Sequence, residues 1–213
     1  MPAPPLLIAV DGPAASGKGT IARALASHFG LPHLDSGSLY RAVALALLRR
    51  GGDVGSEFAA LRACDDIAGL MNDPELRQET VGNLASRVSA FPMVRAALLA
   101  RQQAFATQDV GAVIDGRDIG TVIAPEAQVK LFVTASAEVR AQRRIAELNA
   151  RGLMAHVEDV LIDIRSRDER DSSRATAPLA RATDAMLLDT SEFDRDMAVA
   201  QAIGLVEAKL RKF

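Results

Sequence analysis

A glycine-rich stretch near the start of the chain has the residue types and spacing that bind phosphate. Residues 12–20 read Gly-Pro-Ala-Ala-Ser-Gly-Lys-Gly-Thr and directly follow the apolar run Leu6 to Val10. Glycines at both ends of this turn allow the backbone to curve tightly, so that successive N–H groups face one hollow for phosphate oxygens. Lys18 adds a positive charge on a long side chain, suited to β- and γ-phosphates. The pattern predicts a phosphate-binding loop rather than a simple strand-to-helix turn with a solvated lysine.

The residues after Lys18 predict the helix that positions this loop. Ile21, Leu25 and Phe29 recur at helical spacing, so a helix is expected to begin at about Lys18. The positive end of its dipole and its first N–H groups would then point at the same hollow. The hydroxyl of Thr20 is left as the group that could reach a Mg²⁺ ion.

A second candidate ligand for Mg²⁺ follows another apolar run. Val110 to Ile114 predicts a buried strand, and Asp115 comes directly after it. Phosphate-loop enzymes hold Mg²⁺ through a carboxylate at such a place, directly or through water, whereas an isolated aspartate at a strand end is usually a turn residue. With a phosphate loop present, the metal-linked interpretation of Asp115 is favoured.

Arginine supplies most of the basic residues, and its distribution is uneven. All but four of the 25 basic residues are arginine, and nine of these lie between residues 140 and 181. A GC-rich genome contributes to an arginine excess but does not concentrate it in one segment. At the tip of a helical hairpin, such a group would suit a lid that closes over polyphosphate, because guanidinium recognises phosphate well. Others are expected to pair with acidic neighbours such as Glu138 and Glu147.

The order of apolar runs predicts an α/β fold. Strand-like runs alternate with amphipathic helical patterns, which is typical of a parallel sheet with helices on both faces. In such a sheet, ligands bind at the carboxyl ends of the strands, where the phosphate loop, Asp35 and Asp115 can converge. The clear strand-like runs cover residues 6–10, 110–114, 129–134 and 185–190.

The segment between the first two of these runs is expected to be mainly helical. One helix should start at Ser36 or Ser38, either of which could cap it, and another should cover Ser56 to Met71. Residues 75–110 contain no convincing strand and could form an inserted subdomain folded over a site. Ser86 and Arg95 are its candidate polar contacts, although ordinary surface roles fit the pattern equally well.

Length, charge and cysteine content restrict the class of protein. A chain of 213 residues with 49% hydrophobic residues suits one large domain with insertions. The net charge of −2 argues against a broad nucleic-acid surface. The presence of only one cysteine, Cys64, excludes an internal disulfide, and its place in an apolar helical pattern predicts a buried side chain. The first ten residues lack the features of a secretion signal, and no apolar run approaches a membrane span. We therefore expect a cytoplasmic protein without nucleic-acid or membrane partners.

Five blocks of the sequence together resemble the bacterial cytidylate kinases, which phosphorylate CMP and dCMP from ATP. The first block is shared by many nucleotide kinases, and the other four make the resemblance specific. The blocks are DGPAASGKGT (11–20), LDSGSLYR (34–41), SRVSAFPMVR (86–95), DGRDIGT (115–121) and RDERDSSR (167–174).

The resemblance implies a fold and a domain organisation. It implies one P-loop kinase domain over residues 1–213, with a five-stranded parallel sheet flanked by helices. A helical NMP-binding insert is expected over residues 52–108 and a short arginine-rich lid over residues 150–182. Bacterial members often carry a small β-sheet in the insert, but residues 70–92 give no strand signal. The insert is therefore expected to be trimmed and helical. The resemblance also implies that the protein is a monomer.

Carried over by position, the resemblance also implies roles for individual residues, with Mg²⁺ as the cofactor. The ATP phosphates would be held by Gly12, Pro13, Ala14, Ala15, Ser16, Gly17, Lys18, Gly19 and Thr20. The metal would be held near Thr20 and Asp115. The CMP phosphate would be gripped by Arg41 and Arg117, the cytosine surrounded by Ser36, Ser86, Arg95, Asp118 and Arg174, and the sugar side reached by Arg167 and Asp171. The residues implied in catalysis are Lys18, Arg41, Arg117, Asp118 and Arg167.

Two other classes of function stay open on the residues alone. A kinase with the same core could act on UMP, AMP or a non-nucleotide alcohol, and the phosphate loop does not distinguish these acceptors. A nucleotide-binding switch or a catalytically silent ATP-binding module would also carry the loop. The guanine-selecting pattern Asn-Lys-x-Asp is absent, which disfavours a GTPase switch.

Overall fold

The chain divides into two compact units, a sheet unit and a helical unit. The sheet unit comprises Met1–Leu34 and Gln108–Phe213, and the helical unit comprises Asp35–Thr107. The computed structural model describes residues 4–211. Residues 1–3 lie outside the described residues. They belong to the first ten residues, in which no secretion signal is expected.

Five strands form one parallel sheet in the order β2-β3-β1-β4-β5. Parallel pairing brings the carboxyl ends of neighbouring strands to the same edge, with Asp11 opposite Gly116 on one side and Phe132 on the other. The α/β class and the five-stranded sheet are thereby confirmed. The strands are β1 (Leu7–Asp11), β2 (His33–Asp35), β3 (Ala112–Gly116), β4 (Val129–Thr134) and β5 (Met186–Asp189).

Eight α-helices accompany the sheet in the described part of the chain. Two 3-10 helices, Cys64–Leu70 and Pro74–Arg77, and one turn of π-helix, Ile119–Ile123, complete the elements. The α-helices are α1 (Lys18–Phe29), α2 (Ser36–Arg49), α3 (Glu57–Ala63), α4 (Glu79–Val88), α5 (Pro92–Ala106), α6 (Ala137–Asn149), α7 (Val157–Ser172) and α8 (Arg195–Leu210).

The core of the sheet unit explains why β1 reads as a continuous apolar run. Ile8, Ala9 and Val10 are fully buried, so both faces of this central strand are covered. Ile21 and Leu25 of α1 pack in the same cluster as β1, together with residues of α8. This packing fixes the first helix, which begins at Lys18 as expected.

The helical unit has its own core, and two expectations about its local structure are wrong. The α-helix expected over Ser56 to Met71 ends at Ala63 and continues as a 3-10 helix. Three residues per turn bring Cys64 and Ile67 to the same side, where both are buried in the core. Neither Ser36 nor Ser38 caps α2, because Asp35 is the N-cap residue and the Ser38 hydroxyl donates to its carbonyl oxygen at 2.6 Å.

Two other expectations about this part of the chain are confirmed. No strand lies between residues 70 and 92, where all the elements are helical. Cys64 is a buried thiol, 7% exposed, as the apolar helical pattern indicates. Over residues 4–211, no helix combines the length and the apolar character that a membrane crossing requires.

Candidate active site

The phosphate loop leaves β1 through a glycine that no other residue could replace without movement of the backbone. A Cβ atom on Gly12 would collide with the carbonyl oxygen of Val133 on β4. At the other end of the loop, Gly17 adopts a left-handed conformation, with φ of 88°, and caps α1. No acidic residue lies in the first turn of α1, so its positive dipole end faces the loop without a compensating charge.

Two polar side chains of the loop support a role in anion binding. The Ser16 hydroxyl oxygen is buried and has no hydrogen-bond partner within residues 4–211, and a ligand oxygen would remove the cost of that burial. The Lys18 ammonium group lies 3.4 Å from the carbonyl oxygen of Pro13, so the side chain folds back over the loop. This position keeps its charge next to the backbone N–H groups that would contact phosphate.

The candidate metal ligands, Thr20 and Asp115, offer oxygen donors near the start of α1. Asp115 is 3% exposed, and His33 Nε2 lies 2.8 Å from its Oδ1. Its Oδ2 lies 3.7 Å from the position that a Cβ on Gly19 would occupy, one residue before Thr20. A carboxylate and a hydroxyl are the donors Mg²⁺ prefers when phosphates and water supply the rest of its shell. Thr20 and Asp115 therefore fit Mg²⁺ chemically.

A cluster of arginines surrounds one carboxylate in the sheet unit. Arg117 Nε donates to Asp171 Oδ2 at 2.7 Å, Arg174 contacts Asp171 Oδ1, and Arg167 is close enough to act on its charge. Burial alone would raise the pKa of Asp171, but the guanidinium groups of Arg117 and Arg174 outweigh it and hold the pKa below its usual range. Positive charge exceeds negative charge in this cluster, which suits it to bind an anion.

The segment that carries Arg117 and Asp118 is anchored to β1 by a buried carboxylate that sequence reasoning missed. Asp11 Oδ1 accepts the N–H of Ile119 and Oδ2 accepts the N–H of Gly120, each at 2.8 Å. Burial raises the pKa of Asp11 to about 7, with a further rise from the charge of Asp118, although both N–H groups act in the opposite direction. The sequence shows Asp11 only as the residue before the loop, and nothing local in it signals this contact.

Arg41 and Ser36 lie at the start of α2 in the helical unit. Arg41 Nη1 lies 3.2 Å from Asp35 Oδ2, and both side chains remain about one-third exposed. Ser36 is buried, with 4% of its surface exposed. Arg41 thus presents an accessible guanidinium group that a neighbouring carboxylate holds in place.

Ser86 and Arg95 are buried, so the surface roles that fitted their sequence pattern are wrong. Arg95 is 7% exposed, donates from Nη1 to the Ser89 carbonyl oxygen at 3.3 Å, and lies 5.8 Å from the centre of the Tyr40 ring. Ser89 in turn donates to the Ser86 carbonyl oxygen at 2.9 Å. The Ser86 hydroxyl oxygen is buried with no partner in the described range. The structure thereby brings Ser86 and Arg95 together through Ser89.

Comparison with known proteins identifies the family of the chain. The family model for cytidylate kinase matches residues 8–208. A cytidylate kinase of Xanthobacter autotrophicus is 57% identical over 205 residues, covering 96% of this chain and 98% of that protein. A cytidylate kinase of Rhodopseudomonas palustris (strain BisB18) is 55% identical over 204 residues, covering 95% and 96%. The chain belongs to the cytidylate kinase family.

Solved structures of other kinases share the architecture. A gluconokinase from Sinorhizobium meliloti 1021 aligns with a TM-score of 0.50 and 16% identity over 97% of this chain and 95% of that one. A sugar kinase from Janibacter aligns with a TM-score of 0.50 and 18% identity over 96% and 95%. These likenesses support the P-loop kinase fold of this member of the cytidylate kinase family.

Four arginines of the arginine-rich segment of this family member fall into two pairs with different contacts. Arg144 pairs with Glu147 at 2.9 Å and Arg165 with Glu138 at 3.0 Å, which confirms the pairing expected for some of the arginines. Arg140 and Arg143 point elsewhere, because each donates to a carbonyl oxygen of the phosphate loop. Sequence reasoning missed these two contacts, which join residues more than a hundred positions apart.

We expect the buried Asp11 to give stability an unusual dependence on pH. Its folded pKa of about 7 lies above the ordinary aspartate pKa of 3.8 expected in the unfolded chain, so the folded chain holds the proton more tightly. This stabilisation is present below about pH 4 and is lost as the pH rises through about 7. Relative to Asp11→Asn, the free energy of unfolding of the wild type should fall by up to about 4 kcal/mol across that range.

Urea unfolding of the wild type and of Asp11→Asn at several pH values measures this difference. The comparison cancels the titration of the other groups, which both proteins share. The free energy of unfolding of the wild type minus that of Asp11→Asn should decrease as the pH rises. If this difference stayed constant or increased, it would contradict the raised pKa of Asp11.

Proposed function

We propose that the chain transfers the γ-phosphoryl group of ATP to CMP or dCMP, giving ADP and CDP or dCDP, in pyrimidine nucleotide metabolism. The observation that carries the proposal is the family match over nearly the whole chain, which includes both the phosphate loop and the arginine cluster. The relatives are named cytidylate kinase. The residues of the site are consistent with this reaction.

The donor side of the proposal rests on the phosphate loop. Residues 12–20 bind the ATP phosphates through backbone N–H groups, and Lys18 neutralises charge on the β- and γ-phosphates. Thr20 and Asp115 hold Mg²⁺, which, when bound, offsets charge on the phosphate chain. The Ser16 hydroxyl, which has no hydrogen-bond partner within residues 4–211, supports the assignment of the loop to phosphate, because a phosphate oxygen would accept its hydrogen bond.

The acceptor side needs cations but no general base. The attacking group is an anionic oxygen of the CMP phosphate, which forms a bond to the γ-phosphorus while the bond from that phosphorus to the bridging oxygen of ADP breaks. Arg41 and Arg117 bind the CMP phosphate, and Arg167 neutralises charge that develops during transfer. Asp35 and Asp171 hold Arg41 and Arg117 in place before substrate arrives, which reduces the entropy lost on binding.

Base selection follows from the hydrogen-bonding pattern of cytosine. Its exocyclic amino group is a donor and its ring nitrogen and carbonyl oxygen are acceptors, whereas uracil reverses the first two. Asp118 accepts from the amino group, and Arg95 and Ser86 donate to the acceptor edge, so uracil would leave buried groups unpaired. We propose Ser36 and Arg174 as further contacts of the base, and Arg167 and Asp171 as contacts on the sugar side.

The remaining proposals concern the organisation of the protein. Residues 52–108 form the NMP-binding insert, and residues 150–182 form a lid that excludes water from ATP during transfer. The protein works as a monomer in the cytoplasm, with small nucleotides as its partners and no nucleic-acid polymer or membrane.

ADP formation from Mg-ATP with a panel of acceptors tests the proposed reaction. We expect strong turnover with CMP and dCMP, weak turnover with UMP, and none with AMP, GMP or shikimate, because only cytosine offers the donor and the acceptors that the proposed base contacts require. In a control without acceptor, ATP hydrolysis should be slow. Strong turnover with a different acceptor would overturn the assignment of Asp118, Arg95 and Ser86 to the base, and rapid hydrolysis without acceptor would count against a kinase.

Substitution of the buried Arg95 should weaken the binding of CMP far more than the binding of ATP. Loss of a hydrogen bond between a charged group and the base costs about 1.5–3 kcal/mol, so Arg95→Met should raise the KM for CMP by roughly 10- to 150-fold while the KM for ATP stays within about twofold. Arg101→Met is the matched control, because Arg101 is an exposed arginine on the same helix. Equal rises in both KM values for Arg95→Met would refute its assignment to the base.

A further inference from the structure

Arg140 is a buried arginine on α6 whose contacts join three parts of the sheet unit. It is 5% exposed. Its Nε donates to the Ala135 carbonyl oxygen at 2.9 Å, and its Nη1 donates to the Ala14 carbonyl oxygen in the phosphate loop at 3.3 Å. Asp168 on α7 accepts from Nη1 at 3.0 Å and from Nη2 at 2.6 Å. The planar guanidinium group therefore has a fixed orientation.

The contact with Ala14 determines the direction of one N–H group of the loop. In a trans peptide, the carbonyl oxygen of one residue and the N–H of the next point in opposite directions, and the described chain contains no cis peptide. When Arg140 holds the Ala14 carbonyl oxygen, the N–H of Ala15 points away from the guanidinium group. A loop that binds phosphate through its N–H groups needs this orientation.

The backbone at Ala15 is strained, which is why it needs such support. Ala15 has φ of 57°, a left-handed conformation that is unfavourable for residues other than glycine, because Cβ comes too close to the following carbonyl oxygen. The peptide that Arg140 holds immediately precedes this residue. Without the hydrogen bond, relaxation of Ala15 would rotate that peptide and turn its N–H group away from the phosphate position.

The charge pair with Asp168 serves the geometry of Arg140 rather than stability alone. A buried ion pair is often no more stabilising than apolar residues of similar size, because both charges lose their hydration. Two parallel hydrogen bonds to one carboxylate do, however, fix the plane of a guanidinium group. Asp168 thus keeps Arg140 directed at Ala14.

We propose that Arg140, oriented by Asp168, is a positioning residue that holds the phosphate loop in its ATP-binding conformation. This inference rests on the proposed role of residues 12–20 in binding ATP. It concerns only the ATP side of the reaction, since Ala135, Ala14 and Asp168, which accept from Arg140, are not among the residues proposed to bind CMP.

The kinetics of Arg140→Met test this inference. We expect the KM for ATP to rise about tenfold while the KM for CMP changes less than twofold, because only the loop loses its support. Arg140→Lys should raise the KM for ATP less than Arg140→Met does, since an ammonium group can reach one acceptor but cannot make two parallel hydrogen bonds. Asp168→Asn should shift the KM for ATP in the same direction by a smaller factor.

Two controls separate positioning from a general loss of stability. Glu138→Gln weakens the exposed pair with Arg165, which joins the same two helices without touching the loop. Leu148→Ala removes a buried side chain from the core between α6 and α7. Both should leave the two KM values unchanged, even where Leu148→Ala lowers the melting temperature.

The inference is overturned if Arg140→Met, or Asp168→Asn should Arg140→Met fail to fold, gives the same KM for ATP as Leu148→Ala. Lys18→Ala distinguishes this result from a failure of the proposed function. If Lys18→Ala is impaired while Arg140→Met is not, the loop binds ATP without help from Arg140. If neither variant is impaired, the proposed role of the loop is wrong as well.

Discussion

The close approach of the phosphate loop to β4 is the constraint on which the donor side depends. Because the Gly12 backbone lies against the Val133 carbonyl oxygen, any side chain there would push the loop away from the sheet. The loop can then turn at once into α1, whose position is set by apolar packing against β1. The N–H groups and the dipole of the helix are thereby presented at the carboxyl edge of the sheet, where P-loop kinases bind ATP.

Four of the arginines proposed to bind substrate are paired with carboxylates or a backbone carbonyl oxygen. A kinase of two anionic substrates needs several cations in a site shielded from water, and each of them would be costly to bury alone. Arg117 and Arg174 share Asp171, Arg41 lies against Asp35, and the Ser89 carbonyl oxygen accepts from Arg95. These partners hold the guanidinium groups in position, and the cluster around Asp171 keeps an excess of positive charge for a phosphate.

Local sequence patterns predicted the parts of this structure that local physics determines. The loop, the start of α1 at Lys18 and the parallel sheet follow from glycine placement, helical spacing and the alternation of elements. The 3-10 helix after Ala63 was not predicted, because its apolar spacing also fits an α-helix. The contacts of Asp11 with Ile119 and of Arg140 with Ala14 were not predicted, because they join residues that lie 108 and 126 positions apart in the chain. Burial of Arg95 depends on the fold of the helical unit and has no signature in its own neighbourhood.

The central claim is that Lys18 of the phosphate loop neutralises charge during phosphoryl transfer. The most direct test measures transfer from Mg-ATP to CMP by the wild type, Lys18→Ala and Lys18→Arg. A phosphate loop whose lysine neutralises charge predicts that Lys18→Ala lowers kcat by at least about 100-fold, in line with the loss of one electrostatic contact to the transferred group. Lys18→Arg should retain part of the activity, and the melting temperature should change little. Near-normal turnover by folded Lys18→Ala would contradict the account.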